Sequence, residues 1–190
     1  MEKICAILYY LRYRWFIKSS GFFFIKSFAS IKGAKNIEIG NQFFANRFLR
    51  IEAIANNNDI KLKIGNNVNM GENVHIAAVN KIIINDNVLI GSRILITDHN
   101  HGKYNGDGIS NPDESPNKRE IYSAGIVVIE ENVWIGDGVC ILANVTIGKS
   151  SIIGANTVVA ENVPPYSIVG GIPGKVIKNY NFTTKNWEKI

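Results

Sequence analysis

Residues Ile129–Pro164 read IEENVW IGDGVC ILANVT IGKSSI IGANTV VAENVP. An aliphatic residue opens every block of six: Ile129, Ile135, Ile141, Ile147, Ile153 and Val159. The fifth place is small or β-branched: Val133, Val139, Val145, Ser151, Thr157 and Val163. A period of six suits neither an amphipathic helix (3.6) nor a two-residue strand alternation, and a fixed internal repeat is the signature of a stacked architecture. The pattern predicts an all-β solenoid in which each hexad forms one flat side of a triangular coil. Aliphatic residues point to the axis, and Asn or Gly take the corners, where positive φ is least costly. Three hexads close a coil, and stacked coils turn the aliphatic ladder into the core.

The repeat extends outward from this stretch in both directions. IGNQFF (Ile39–Phe44) is recognisable, with ANRFLR and IEAIAN as degraded versions. From Ile64 come IGNNVN, MGENVH and IAAVNK; Ile82 and Ile83 then shift the register, which resumes at Ile84, Ile90 and Ile96. A corner or bulge is expected to absorb the shift. Residues 99–125 abandon the period for a polar segment rich in Gly and Pro, and a long loop inside a compact array is a candidate for function. Beyond the last hexads the period dissolves, predicting a short strand and a helical or extended tail over 179–190.

Residues 1–30 mix apolar, aromatic and basic residues, with Arg12, Arg14, Lys18 and Lys26 interrupting any apolar run. No run approaches the ~20 residues that span a bilayer, and no signal-peptide pattern is present. Ile4, Ile7, Leu8 and Leu11 recur at helical spacing. This predicts an N-terminal helical segment that caps the open end of the solenoid, with contact to a membrane surface as the second reading. The repeat domain is assigned to 31–178.

The chain has 190 residues, 46% hydrophobic, with a net charge of +5. That length and composition predict one folded domain. The positive charge gathers at the two ends and not along a stripe, which argues against nucleic acid. Cys5 and Cys140 lie far apart and form no disulfide framework, so a reducing cytoplasm is expected, with the inner face of the membrane as a possible station.

The hexads, DHNHG at Asp98–Gly102, VWIG at Val133–Gly136 and VPPYSIVGGIPGKVIK at Val163–Lys178 together resemble the hexapeptide-repeat acyltransferases. The resemblance is to the maltose/galactoside acetyltransferase branch and to the sugar O-acetyltransferases of O-antigen and capsule clusters. It implies a left-handed parallel β-helix, a homotrimer with active sites between subunits, and acetyl-CoA as acyl donor. It also implies a sugar or glycan acceptor, and hence a role in polysaccharide or lipopolysaccharide biosynthesis.

Moving an acetyl group to a hydroxyl needs a base at the hydroxyl proton, and imidazole suits this near neutrality. An ungapped count through the repeat puts the family's catalytic histidine on His101; a small local shift puts it on His99. Asp98 forms the turn into the loop or holds an imidazole tautomer. Asn73 and His75 are the candidates to reach the acceptor, though the Asn-rich stretch of the galactoside branch is matched only in part. The outward Trp134 lines the acceptor and coenzyme cleft by resemblance, or packs between subunits. Gly136, Gly154, Ala155 and Ala160 are small residues suited to a groove for pantetheine, or are corner residues. Lys175 and Lys178 are the candidate phosphate contacts. Where the family often reads Thr-Lys, this chain has Ala160-Glu161, so one usual basic contact is missing. A backbone donor near Gly136 or Gly138 is the candidate oxyanion contact. No metal site is expected: a γ-class carbonic anhydrase shares the solenoid, but the histidines here do not match its spacing. The rival readings are N-acetylation of a nucleotide-linked amino sugar and a non-catalytic β-helix scaffold.

Overall fold

A computed structural model describes residues 2–190, apart from the side chains of Glu2, Lys3, Cys5 and Ala6. The reading of Cys5 therefore lies outside the described residues. The chain starts with α1 (Glu2–Tyr13) and then visits three sheets in rotation. The first face carries Ile37–Ile39, Leu62–Ile64, Ile82–Ile84, Val127–Ile129 and Thr146–Ile147; the second carries Phe43–Ala45, Asn69–Met70, Leu89–Ile90, Trp134–Ile135 and Ile152–Ile153. Arg50–Ala53, His75–Ala78, Leu95–Thr97, Cys140–Ile141 and Val158–Val159 belong to the third. Pairing between successive rungs is parallel throughout.

The hexad grammar is visible in the burial. First-place residues Ile39, Ile64, Ile84, Ile129 and Ile147 stack at 0–1% exposure down one inner edge. Fifth-place Val68, Val88, Val133, Val139 and Val145 are equally buried. Each such side chain removed from water contributes roughly 1.5–3 kcal/mol, and the ladder repeats that contribution on every rung. The fourth place turns the corner in the left-handed region: Asn67, Asn73, Asn87, Asn132, Asn144 and Asn156 have φ between 53° and 62°. Asn tolerates this conformation better than other residues with a side chain. Third-place side chains seal the corners, for Asn66 Oδ1 accepts from the Asn41 amide (2.8 Å) and Asp86 Oδ1 from the Asn66 amide (2.7 Å).

Both expected boundaries fall inside paired structure. The parallel ladder reaches back to Lys18–Ser19, Phe23–Ile25 and Ser30–Lys32, within segment 1–30, with Phe23 and Ile25 fully buried. At the other end Lys175–Asn181 runs antiparallel to Ser167–Gly170 and to Asn186–Lys189. The tail over 179–190 is thus a hairpin edge, the extended alternative of the sequence reading. The register shift at Ile82–Ile83 is absorbed at the corner between the third and first faces, where Val79, Asn80 and Lys81 lie outside the strands.

Candidate active site

That same corner carries the candidate residues. Leu95–Thr97 ends the third face of its rung, and Asp98 is the first residue beyond it, with no solvent exposure. Its Oδ1 accepts from the Val79 amide at 2.9 Å and its Oδ2 from the Asn80 amide at 2.8 Å. These are the amides released from strand pairing by the inserted residues, and the carboxylate gives both an acceptor. Asp98 Oδ1 also lies 3.1 Å from His99 Nδ1, and the His99 side chain is only 13% exposed. Thr97 supports the same ring: its Oγ1 is 3.3 Å from Nδ1 and donates to the His99 carbonyl at 3.2 Å.

The proton position follows from the donor–acceptor inventory. A carboxylate only accepts, so the contact requires Nδ1 to carry the proton. In the neutral ring Nε2 then keeps its lone pair, and among the described residues it has no protein partner. A buried carboxylate that fixes the tautomer of an imidazole, leaving the far nitrogen free, is the arrangement of an oriented general base.

His101 stands differently. It lies on the short pair Asn100–His101 with Ile121–Tyr122 and is exposed. Its carbonyl accepts from the Tyr104 hydroxyl, and among the described residues its imidazole has no hydrogen-bond or ion-pair partner. The loop beyond it is held by Arg119, which donates to the carbonyls of Glu114 (3.0 Å) and Pro112 (2.8 Å) and to the Tyr104 hydroxyl (3.1 Å).

The other predicted residues scatter over the faces. Asn73 is a fourth-place corner residue, exposed, with φ 56°. His75 lies on the third face, one rung from Leu95, with Nε2 3.1 Å from Glu52 Oε2. Glu52 also meets Lys32 Nζ at 2.8 Å and an Arg50 guanidinium nitrogen at 2.8 Å. The hydrogen bond from Lys32, with further help from His75 and Arg50, overcomes burial and holds the Glu52 carboxyl down at about 2. A depressed carboxyl stabilises the fold above its unfolded value of 4.5 and loses that contribution as pH falls toward 2. The stability gap between the wild type and Glu52→Gln should therefore be constant near neutrality and close on acidification through this window. Thermal midpoints measured across it check this; a gap that does not change with pH would remove Glu52 from the acid response.

Trp134 projects from the second face at 51% exposure, between Leu89 and Ile152 of the neighbouring rungs. It is not brought beside His99 within one chain, since the two occupy different faces. The amides proposed as oxyanion donors are both engaged: Gly136 donates to the Ile153 carbonyl and Gly138 to the Ser92 carbonyl, each at 2.8 Å. Two of the small residues have a packing reason. A Cβ at Gly136 would sit 2.8 Å from the Ala155 amide nitrogen, and one at Gly154 3.1 Å from the Val169 carbonyl. Ala155 and Ala160 are exposed corner residues. Lys175 Nζ lies 3.6 Å from Glu161, the residue that departs from the family pattern, and both line a cavity of about 110 Å³. Lys178 is half-buried and pairs with Ile168. Cys140 is free, and burial pushes its thiol up, away from the reactive thiolate.

Two features escaped the sequence. A cavity of about 330 Å³ is lined by Ile54, Ala55, Asn56, Asn57, Lys61 and Val79, the last being the residue whose amide donates to Asp98. Thr157 Oγ1 is buried with no hydrogen-bond partner among the described residues.

The coils and the histidine loop define a class. The chain belongs to the hexapeptide-repeat acyltransferases: residues 126–161 match the model of the bacterial transferase hexapeptide (six repeats). It is an acyltransferase. It is 36% identical over 160 residues, covering 84% of this chain and 80% of the relative, to the putative lipopolysaccharide biosynthesis O-acetyl transferase WbbJ of Escherichia coli K12. Among solved structures it resembles the hexapeptide-repeat acetyltransferase VCA0836 of Vibrio cholerae O1 biovar eltor, complexed with acetyl coenzyme A. That match has a TM-score of 0.60 and 27% identity, covering 92% of this chain and 78% of the other. The N-acyltransferase AntD of Bacillus cereus shares the fold, with a TM-score of 0.75 over 93% of this chain and 90% of that one, at 23% identity.

Proposed function

We propose that this chain transfers the acetyl group of acetyl-CoA to a sugar hydroxyl of a cell-surface glycan, with His99 as general base. The observation that carries the mechanism is the buried Asp98 carboxylate against His99 Nδ1. This reverses the order drawn from the ungapped count, which put His101 first. The acceptor class follows the E. coli relative, whose name assigns it O-acetyl transfer in lipopolysaccharide biosynthesis. The donor follows the V. cholerae enzyme, solved with acetyl coenzyme A.

His99 Nε2 takes the hydroxyl proton as the acceptor oxygen attacks the thioester carbonyl. The C–S bond breaks as the tetrahedral intermediate collapses, and the imidazolium returns the proton to the departing sulfur. The products are the O-acetyl sugar and the free thiol of CoA. Asp98 stays ionised throughout and stabilises the transient imidazolium.

The coil winds left-handed and the molecule acts as a trimer in this reading. The outward row Leu89, Trp134 and Ile152 gives the second face an apolar strip that a partner subunit would cover. It would also bring a Trp134 to a neighbour's His99. Sedimentation as a monomer at micromolar concentration would remove the shared cleft. Lys175 and Lys178 take the CoA phosphates, Lys175 with its charge tempered by Glu161. Lys175→Glu should raise the KM for acetyl-CoA more than it lowers turnover, and an unchanged KM would leave Lys175 as solvated surface.

Thiol release from acetyl-CoA, followed against neutral sugars, amino sugars and lipid-linked glycans, tests the whole reading. Turnover with hydroxyl acceptors supports it. Turnover confined to amino sugars would assign N-acylation, and none with any acceptor would leave a scaffold.

A further inference from the structure

The N-terminal end of the stack carries a surface that the acyl-transfer reading does not use. Between residues 3 and 37 the chain holds seven Lys and Arg and no Asp or Glu. Over this stretch α1 lies against the first rung through its tyrosines. The Tyr10 ring meets Phe22 and Phe23 at 4.5 and 5.1 Å, and the Tyr9 hydroxyl accepts from the Ala29 amide at 3.0 Å. The helix thus turns its more polar aromatic side inward. Its aliphatic side, at i, i+3, i+4 and i+7 spacing, faces away: Ile4, Ile7, Leu8 and Leu11 are 63%, 51%, 59% and 49% exposed. The turn that follows adds Trp15 and Phe16, 78% and 62% exposed.

Two guanidiniums flank this apolar surface. Arg12 lies over the Tyr13 ring at 5.6 Å and Arg14 over the Trp15 ring at 4.7 Å; both are exposed, and neither forms an ion pair among the described residues. A protein partner that matched the aliphatic stripe alone would leave these charges without acceptors. A layer that is apolar inside and anionic at its surface satisfies both sets at once. Trp also favours the boundary between water and hydrocarbon, where its ring is buried and its N–H stays wet. No helix among the described residues is long and apolar enough to cross a membrane, so the contact lies in the plane of the surface.

We propose that α1 and the Arg14–Phe16 turn dock this protein onto an anionic phospholipid surface. Leu8, Leu11, Trp15 and Phe16 enter the boundary of headgroups and acyl chains, and Arg12 and Arg14 meet lipid phosphates. The stack then stands on its N-terminal end. The rung carrying Asp98 and His99 lies three steps from the first, and at the ~4.8 Å spacing of paired strands this sets it roughly 15 Å along the axis. The proposal stands independently of the acceptor reading, since it rests on residues outside the candidate active site.

Flotation of the full chain with two kinds of vesicle tests it: phosphatidylcholine alone, and phosphatidylcholine mixed with phosphatidylglycerol. The expected result is binding to the mixed vesicles that weakens with salt, with a blue shift of tryptophan emission that Trp15→Phe removes. Leu8→Glu combined with Leu11→Glu should abolish binding. Arg12→Glu combined with Arg14→Glu should weaken it on the order of tenfold or more. Unchanged thermal midpoints show that the variants fold. Three results would overturn the proposal: no binding to mixed vesicles, equal binding to both kinds, or self-association without lipid that Leu8→Glu with Leu11→Glu disperses.

Discussion

His99→Ala is expected to lower kcat by roughly 10²–10⁴-fold, the usual cost of removing a general base, with little change in acetyl-CoA affinity. On the proposed mechanism the imidazole acts on the acceptor proton and not on the nucleotide. His101→Ala is the comparison, and it should stay near wild type because the His101 ring is exposed and no carboxylate orients it. Steady-state rates of both variants against one acceptor decide the assignment. If His101→Ala is the inactive enzyme and His99→Ala turns over normally, the ungapped count was right and the Asp98 contact is only structural. Full activity in both would remove histidine base catalysis.

The proposed mechanism gives Asp98 two jobs, and two substitutions separate them. Asp98→Ala leaves the Val79 and Asn80 amides without their carboxylate acceptor at a partly buried corner. An unsatisfied buried donor costs about 1–3 kcal/mol, so the thermal midpoint should drop clearly, by roughly 2–4 °C per kcal/mol at this size. Asp98→Asn keeps a carbonyl oxygen at the corner and should lose less stability. Its amide can donate to Nδ1, which would move the ring proton to Nε2 and leave no lone pair for the substrate. A kcat loss of roughly 10²–10⁴-fold, with a smaller midpoint shift than Asp98→Ala, is the expected pairing. A midpoint as low as that of Asp98→Ala with unimpaired kcat would show that the aspartate serves only the corner.

The fold was legible because six is a period that only a three-sided coil satisfies. First-place isoleucines, fifth-place valines and fourth-place asparagines each report a separate constraint, and all three agree. The first rung was illegible as repeat because phenylalanine stands where an aliphatic residue is expected: Phe23 fills the inside at 0% exposure. Width at that end is occupied by rings, and the hexad signal, written in isoleucine and glycine, disappears. The candidate site was legible as a histidine loop, with pairing to an imidazole left open as one of two readings of Asp98. Asp98 read as a turn residue since Asp begins many turns. Its second role depends on amides nineteen and eighteen residues earlier, freed by an insertion whose position the sequence showed and whose consequence it did not. Trp134 and Lys175 were found by resemblance, and a single chain gives them no common cleft with His99.

The excursion over residues 99–125 also sets the order in which the coils can close. Leu62 and Ile82 pair across 20 residues of chain, and Val128 pairs with Thr146 across 18, but Ile82 must find Val127 across 45. Closing a flexible loop costs about (3/2)RT ln n, so this one step carries an additional entropy of roughly 0.7 kcal/mol, about a threefold handicap in encounter. Every other junction between coils is near uniform. The excursion therefore divides the stack into two blocks, which meet where Ile82–Ile84, Leu89–Ile90 and Leu95–Ile96 pair with Val127–Ile129, Trp134–Ile135 and Cys140–Ile141. Asp98 and its partners Val79, Asn80 and His99 all lie on the N-terminal side of that seam, so the corner that holds the imidazole is built from the first block alone.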